Sequence, residues 1–116
     1  MRHHAANRKF GREQKVRSAL LRSLAVSLIE HGKIETTESK AREIRSYVEK
    51  LVTRGKNATP ASKRLLAVKL GSSRLVGKLV DEVSSKYITR SGGYTRIVKK
   101  GPRTGDGSKM AIIEFI

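Results

Sequence analysis

Two periodicities alternate along this chain in an order that predicts an α+β domain, with helices on one face of a small sheet. Four stretches repeat apolar residues at helical spacing, at about 12–31, 38–54, 60–70 and from 73 onward. A short β-branched segment, Ile34-Glu-Thr-Thr37, separates the first two. After residue 90 an alternating segment, a Gly-rich loop and a nearly all-apolar segment read as a long-looped hairpin. The element order is therefore α-β-α-α-α-β-β. A chain of 116 residues suits one domain, 12–116, behind an arm, 1–11.

Residues 1–11 lack apolar periodicity and read as an extended basic arm, disordered alone and ordered on a partner. In the first helix Val16, Leu20, Leu24 and Leu28 form one row, which Leu21 and Ala25 widen. Arg12, Lys15 and Arg22 fall on the opposite face. Gly32 follows the last periodic residue, the place for a left-handed stop. Thr37 can cap the second helix, with Glu38 in the first turn, where the helix dipole favours an anion. Ala41, Ile44, Val48 and Leu51 are its buried stripe, and Gly55 ends it. Thr59 before Pro60 is a cap followed by the helical position that suits proline. That third helix stops at Gly71, and Ser73 can start a fourth carrying Leu75, Val76, Leu79, Val80 and Val83. Tyr94 to Lys99 alternates, residues 99–109 form a basic Gly-rich loop, and Met110 to Ile116 is apolar enough for a central strand.

The net charge is +16, from 26 basic and 10 acidic residues. Such an excess repels itself in a compact state and points to a polyanionic partner. Residues 1–17 hold six basic and one acidic side chain, and residues 86–109 hold seven and one. Residues 33–85 hold twelve and six, so that stretch is partly self-balanced and its helix 38–54 reads as a solvated face. The arm and the hairpin loop are also where binding residues are usually carried. Their Arg side chains suit phosphate through the planar guanidinium fork. On charge and position the candidates are Arg2, Arg8, Lys9, Arg12, Lys15 and Arg22 at one end, and Lys99, Lys100, Arg103 and Lys109 at the other. Gly92-Gly93 reads as a plain turn or as a place where backbone approaches phosphate closely. Tyr94 reads as a core aromatic or as a ring stacking on a base. Asp106 can orient Arg103 or Lys109.

Other chemistries find little support. The chain has no Cys, which excludes disulfides and Cys-based zinc sites. Adjacent His3 and His4 lack the further ligands a metal site needs. Aromatics are 4% of residues, too few for binding mainly by base stacking. Gly101-Pro-Arg-Thr-Gly105 lacks the Lys-Ser/Thr end of a nucleotide-binding P-loop. No nucleophile–base or paired-carboxylate constellation is present, so neither an enzyme nor a cofactor is expected. Ala19 to Ile29 is apolar but interrupted by Arg22, and reads as an amphipathic helix rather than an export signal.

Several blocks resemble the bacterial large-subunit ribosomal protein seventeen family. They are Met1-Arg-His3, Arg8-Lys-Phe-Gly-Arg12, Ala19-Leu-Leu-Arg-Ser-Leu24, His31-Gly-Lys-Ile-Glu-Thr-Thr37, Gly92-Gly-Tyr-Thr-Arg-Ile97, Gly101-Pro-Arg-Thr-Gly-Asp106 and Met110-Ala-Ile-Ile-Glu114. They stand in the family's order and cover nearly the whole chain. The resemblance implies a two-layer fold with three strands, placing Ile34–Thr37 beside the hairpin. It implies a cytoplasmic constituent of the 50S subunit that binds 23S ribosomal RNA near the exit side, next to the small ribosomal protein thirty-two. It sets Arg2, His3, Arg8, Lys9, Arg12, Arg90, Gly92, Gly93, Tyr94 and Arg96 against RNA. The chain departs from the family pattern at His4-Ala5, where Arg-Lys is usual, and at Val16, where His is common.

The function expected is therefore structural: Lys and Arg neutralise crowded phosphates and favour one compact arrangement of folded rRNA, read by shape, phosphate and 2′-OH. A nucleoid-associated DNA-binding protein is the alternative on charge, but no helix offers an obvious set of base-reading side chains. An anionic membrane surface would need the apolar face of helix 12–31, which the core requires.

Overall fold

The computed structural model describes residues 14–57 and 59–116. The arm, with Arg2, His3, Arg8 and Lys9, and also Arg12, lies outside them. Four helical segments and three strands follow in the expected order. They are α1 (Gln14–His31), β1 (Lys33–Thr37), α2 (Glu38–Gly55), α3 (Pro60–Leu70), α4 (Ser73–Lys78), β2 (Thr95–Pro102) and β3 (Lys109–Phe115). α4 runs on through a wider turn over Leu79–Val83 and a tighter one over Ser84–Tyr87.

Local chemistry sets the boundaries. Gly32 and Gly71 take φ of 81° and 75°, and their N–H groups close onto Leu28 O and Ala67 O, satisfying carbonyls that α1 and α3 would otherwise leave open. The Thr37 hydroxyl accepts from Lys40 N at 3.3 Å, and the Thr59 hydroxyl from Ser62 N at 3.2 Å, with Pro60 next. Each such cap is worth about 1 kcal/mol. α4 begins at Ser73 as expected, capped by Ser72, whose hydroxyl accepts from Leu75 N.

The sheet is antiparallel with order β1-β3-β2, so the apolar β3 is central, as its composition suggested. Ile34, Ile113 and Ile97 stand in one cross-strand row on the face toward the helices. Lys33, Glu114 and Arg96 form the next row, on the other face. One buried cluster joins Leu28 and Ile29 of α1, Ile44 and Val48 of α2, Leu66 of α3, Leu79, Tyr94 and Ile113.

Two expectations change. Val16 is 51% exposed, and α1 buries Ala25, Leu28 and Ile29 instead. A four-residue step turns the helix about 40° past a full revolution, so three steps back from Leu28 carry Val16 roughly 120° off the core. On that turn Arg17 faces α2 and lies 3.5 Å from Glu43. Gly55 ends α2 as expected, and it is buried there with right-handed Lys56 after it. Glycine is required there by proximity: an added Cβ would collide with Ser84 Oγ and come 3.3 Å from Ser84 Cβ. The hairpin loop is Arg103–Ser108 rather than 99–109. A register shift between Lys99 and Gly101, with Gly101 at φ 91°, absorbs one residue and lets pairing continue to Pro102↔Lys109. Lys99, Lys100 and Lys109 thus sit on strands.

Candidate nucleic-acid interface

The segment leading into β2 is held from below by one carboxylate. Glu49, on α2, accepts from Gly93 N at 3.2 Å, Thr95 N at 3.3 Å and Thr95 Oγ1 at 2.9 Å. Gly92 and Gly93 have φ of 84° and 66°, so the turn needs glycine for its angles, and nothing lies within 4 Å of where their Cβ atoms would be. The Gly93 N–H, a candidate for phosphate, is already engaged by this internal anion.

Tyr94 follows the turn and is 1% exposed. Its ring tilts against Tyr87 with centroids 5.2 Å apart, and its hydroxyl lies 3.0 Å from Thr53 Oγ1. Of the two readings of this residue, the ring takes the core position, and base stacking is closed to it by burial. The Lys56 ammonium sits 4.8 Å from the ring centroid and donates to the Arg90 carbonyl. A hydrogen bond from Lys56, then one from Thr53, holds the Tyr94 phenol below its usual value. Arg90 itself is exposed.

The hairpin cations differ in how far they are committed. Arg96 donates from Nε to Glu114, its direct cross-strand neighbour, at 2.6 Å. Its terminal nitrogens have no partner among the described residues and stay available. Lys100 reaches across β3 to Glu35 at 3.4 Å. Arg103 turns its fork onto Asp106, with Nε and Nη2 donating at 3.1 Å and 2.8 Å, as the lone loop acid suggested. Lys99 and Lys109 are exposed without an acidic partner among the described residues. Lys15 and Arg22 are exposed on α1, in the helical layer. Arg22 lies beside Tyr47, whose phenol is pushed up by burial and partly offset by this guanidinium. The described candidates are carried by α1, by the segment leading into β2 and by the β2–β3 hairpin.

Asp106 supports a pH prediction. The Arg103 fork, then the Ser108 N–H at 3.1 Å, holds its carboxyl far below the ordinary carboxylate range. A depressed carboxylate contributes its full share above the unfolded value of about 3.9, and that share disappears as pH falls through the lower folded value. At roughly pH 3 the loop hydrogen bonds should persist while ordinary carboxylates protonate. Carboxyl-carbon NMR should find Asp106 still ionised there, and a midpoint near about 4 would rule the ion pair out in solution.

Sequence reasoning missed Glu49, Lys56 and Thr53. Glu49 stands four residues after Arg45, with its carboxylate 3.8 Å from that guanidinium, and so looks like half of an ordinary surface pair.

A family model described as Ribosomal protein L17 matches residues 20–116. The chain belongs to the ribosomal protein L17 family. A relative from Sulfurimonas denitrificans, named large ribosomal subunit protein bL17, is 53% identical over 117 residues, covering 100% of both chains. One of the same name from Gemmatimonas aurantiaca is 50% identical, covering 100% of this chain and 98% of its own. A third, from Thermomicrobium roseum, is 47% identical, covering 100% and 99%. These relatives are ribosomal proteins rather than enzymes. The L17 model takes in Arg22 and every candidate from Arg90 to Lys109, while the full-length relatives also span the arm. No helix among the described residues is long and apolar enough to cross a membrane.

Proposed function

We propose that this chain is a structural constituent of the large ribosomal subunit in the cytoplasm, and that it binds and stabilises folded 23S rRNA. The observation that carries the reading is the full-length match to relatives named as large-subunit proteins. The charge of +16 supports it, since phosphate neutralisation supplies most of the affinity of such proteins for RNA. In this reading the arm residues Arg2, His3, Arg8, Lys9 and Arg12, together with Lys15 and Arg22, bind the RNA. Arg90, Gly92, Gly93, Arg96, Lys99, Lys100, Arg103 and Lys109 bind it as well, and Tyr94 anchors their segment from the core. Lys99 and Lys109 contribute the most direct contacts, joined by the terminal nitrogens of Arg96, because the Arg103 fork is shared with Asp106. The protein neighbour is the small ribosomal protein thirty-two.

Competition between a 23S fragment and duplex DNA at fixed salt tests the reading. Preference for the rRNA fragment is expected, and equal affinity for the two sinks it. Co-sedimentation with 50S particles through a high-salt wash is the matching expectation in the assembled state.

A further inference from the structure

We propose that the C-terminal half of α2 and the 88–92 loop form an additional shelf for ribose-phosphate backbone. This rests on the rRNA reading above and assigns a site to a helix whose charge reads, in sequence, as solvated. Two open clefts of about 490 Å³ and 410 Å³ meet at Thr53. The first is lined by Lys50, Arg54 and Asn57, the second by Lys56 and the 88–92 loop with Arg90. Lys50, Arg54 and Arg90 are exposed and have no acidic partner among the described residues. The one acid in the lining is Glu49, and both its oxygens already accept internal hydrogen bonds.

The bland account of these cations is the helix dipole, which favours positive charge in a last turn. That covers Arg54. It leaves Lys50, four residues earlier and repelling Arg54 at helical spacing, unexplained. It also leaves unexplained why a different element brings Arg90 to the adjoining cleft. Lys56 makes the arrangement rigid: its ammonium is tied to the Arg90 carbonyl and lies over the Tyr94 ring, so the loop is held against the helix end. The same two linings carry the uncharged side chains of Thr53, Asn57, Thr89 and Ser91. Cations and hydroxyl or amide groups lining adjoining clefts suit phosphate and 2′-OH groups, the features that mark RNA backbone.

Two measurements test the shelf. In the first, a K50Q/R54Q chain is titrated with the 23S fragment across a salt series. The slope of log affinity against log salt should flatten by roughly 1.5, because two phosphates are no longer neutralised. The melting temperature should not move, since both side chains are exposed. An unchanged slope, with wild-type preference for rRNA intact, overturns the shelf and leaves the ribosomal reading standing. Equal wild-type affinity for duplex DNA overturns the ribosomal reading, and with it the ligand assigned here. In the second, the absence of native Cys makes Asn57→Cys a unique attachment point for a tethered hydroxyl-radical source. Strand cleavage confined to one region of the fragment supports the shelf. Cleavage no stronger than from Val68→Cys on α3 overturns it.

Discussion

Glu49→Ala is expected to weaken rRNA binding even though it removes a negative charge from an RNA-binding protein. Bulk electrostatics predicts the opposite sign, because the net charge rises by one. The geometry decides otherwise. Gly93 N, Thr95 N and Thr95 Oγ1 all donate to this carboxylate, and Thr95 is 2% exposed. Without the acceptor, the donors of buried Thr95 lose their partner, while the exposed Gly93 N–H can turn to water. Hydrogen bonds to a charged group are worth about 1.5–3 kcal/mol each, but Glu49 is partly exposed and water can recover some of that. A net cost of about 2 kcal/mol is expected. For a chain of this size that lowers the melting temperature by roughly 8 °C. Amide exchange at Gly93 and Thr95 should accelerate, and the Arg90–Arg96 segment should present its cations in many arrangements instead of one. Glu49→Gln, which keeps one acceptor oxygen, should fall between. Tighter binding by Glu49→Ala with unchanged amide exchange would defeat the idea that this acid positions the segment.

Gly55→Ala is the second large effect. The new methyl group would collide with the Ser84 hydroxyl, and Ser84 is fully buried while donating to the Val52 carbonyl at 2.9 Å. Overpacking of this kind costs about 1–3 kcal/mol, against the gain of roughly 1 that alanine brings to an unobstructed helix. A net decrease in stability is expected, read as a lower urea midpoint with the slope unchanged. Ser84→Ala alone should cost about 1 kcal/mol, the worth of its hydrogen bond. The double variant should be more stable than the sum of the singles allows, because removing Oγ makes room for the methyl. Strict additivity would show that the wider turn at Leu79–Val83 can shift Ser84 aside at little cost.

What sequence could reveal here was whatever depends on neighbours a few positions apart. The caps at Thr37 and Thr59, the stop at Gly71, the stripe Ala41–Ile44–Val48–Leu51 and the central place of β3 follow from local chemistry and periodicity. The errors lie where register or tertiary approach decides. Counting charge by segment left Arg96 and Lys100 unbalanced, because their partners Glu114 and Glu35 arrive from other strands. The loop looked long because the bulge before Gly101, which prolongs the pairing, has no signature beyond one glycine. Glu49 was invisible as a support because its donors lie far along the chain, at Gly93 and Thr95.

The position of β3 also bears on how the molecule is made. β1 pairs only with β3, as does β2, so no two strands can join until residues 109–115 have been synthesised. Through most of translation Ile34 and Thr36 wait without a strand beside them, and the helices have no sheet to close against. Joining Thr36 to Ala111 closes a loop spanning most of the chain, which places this step late and makes it slow relative to helix pairing. The nascent protein therefore passes through a stage in which every helical segment has been synthesised and no strand pair among the described residues can form. In that interval its basic surface can meet polyanions before the fold that arranges it is complete.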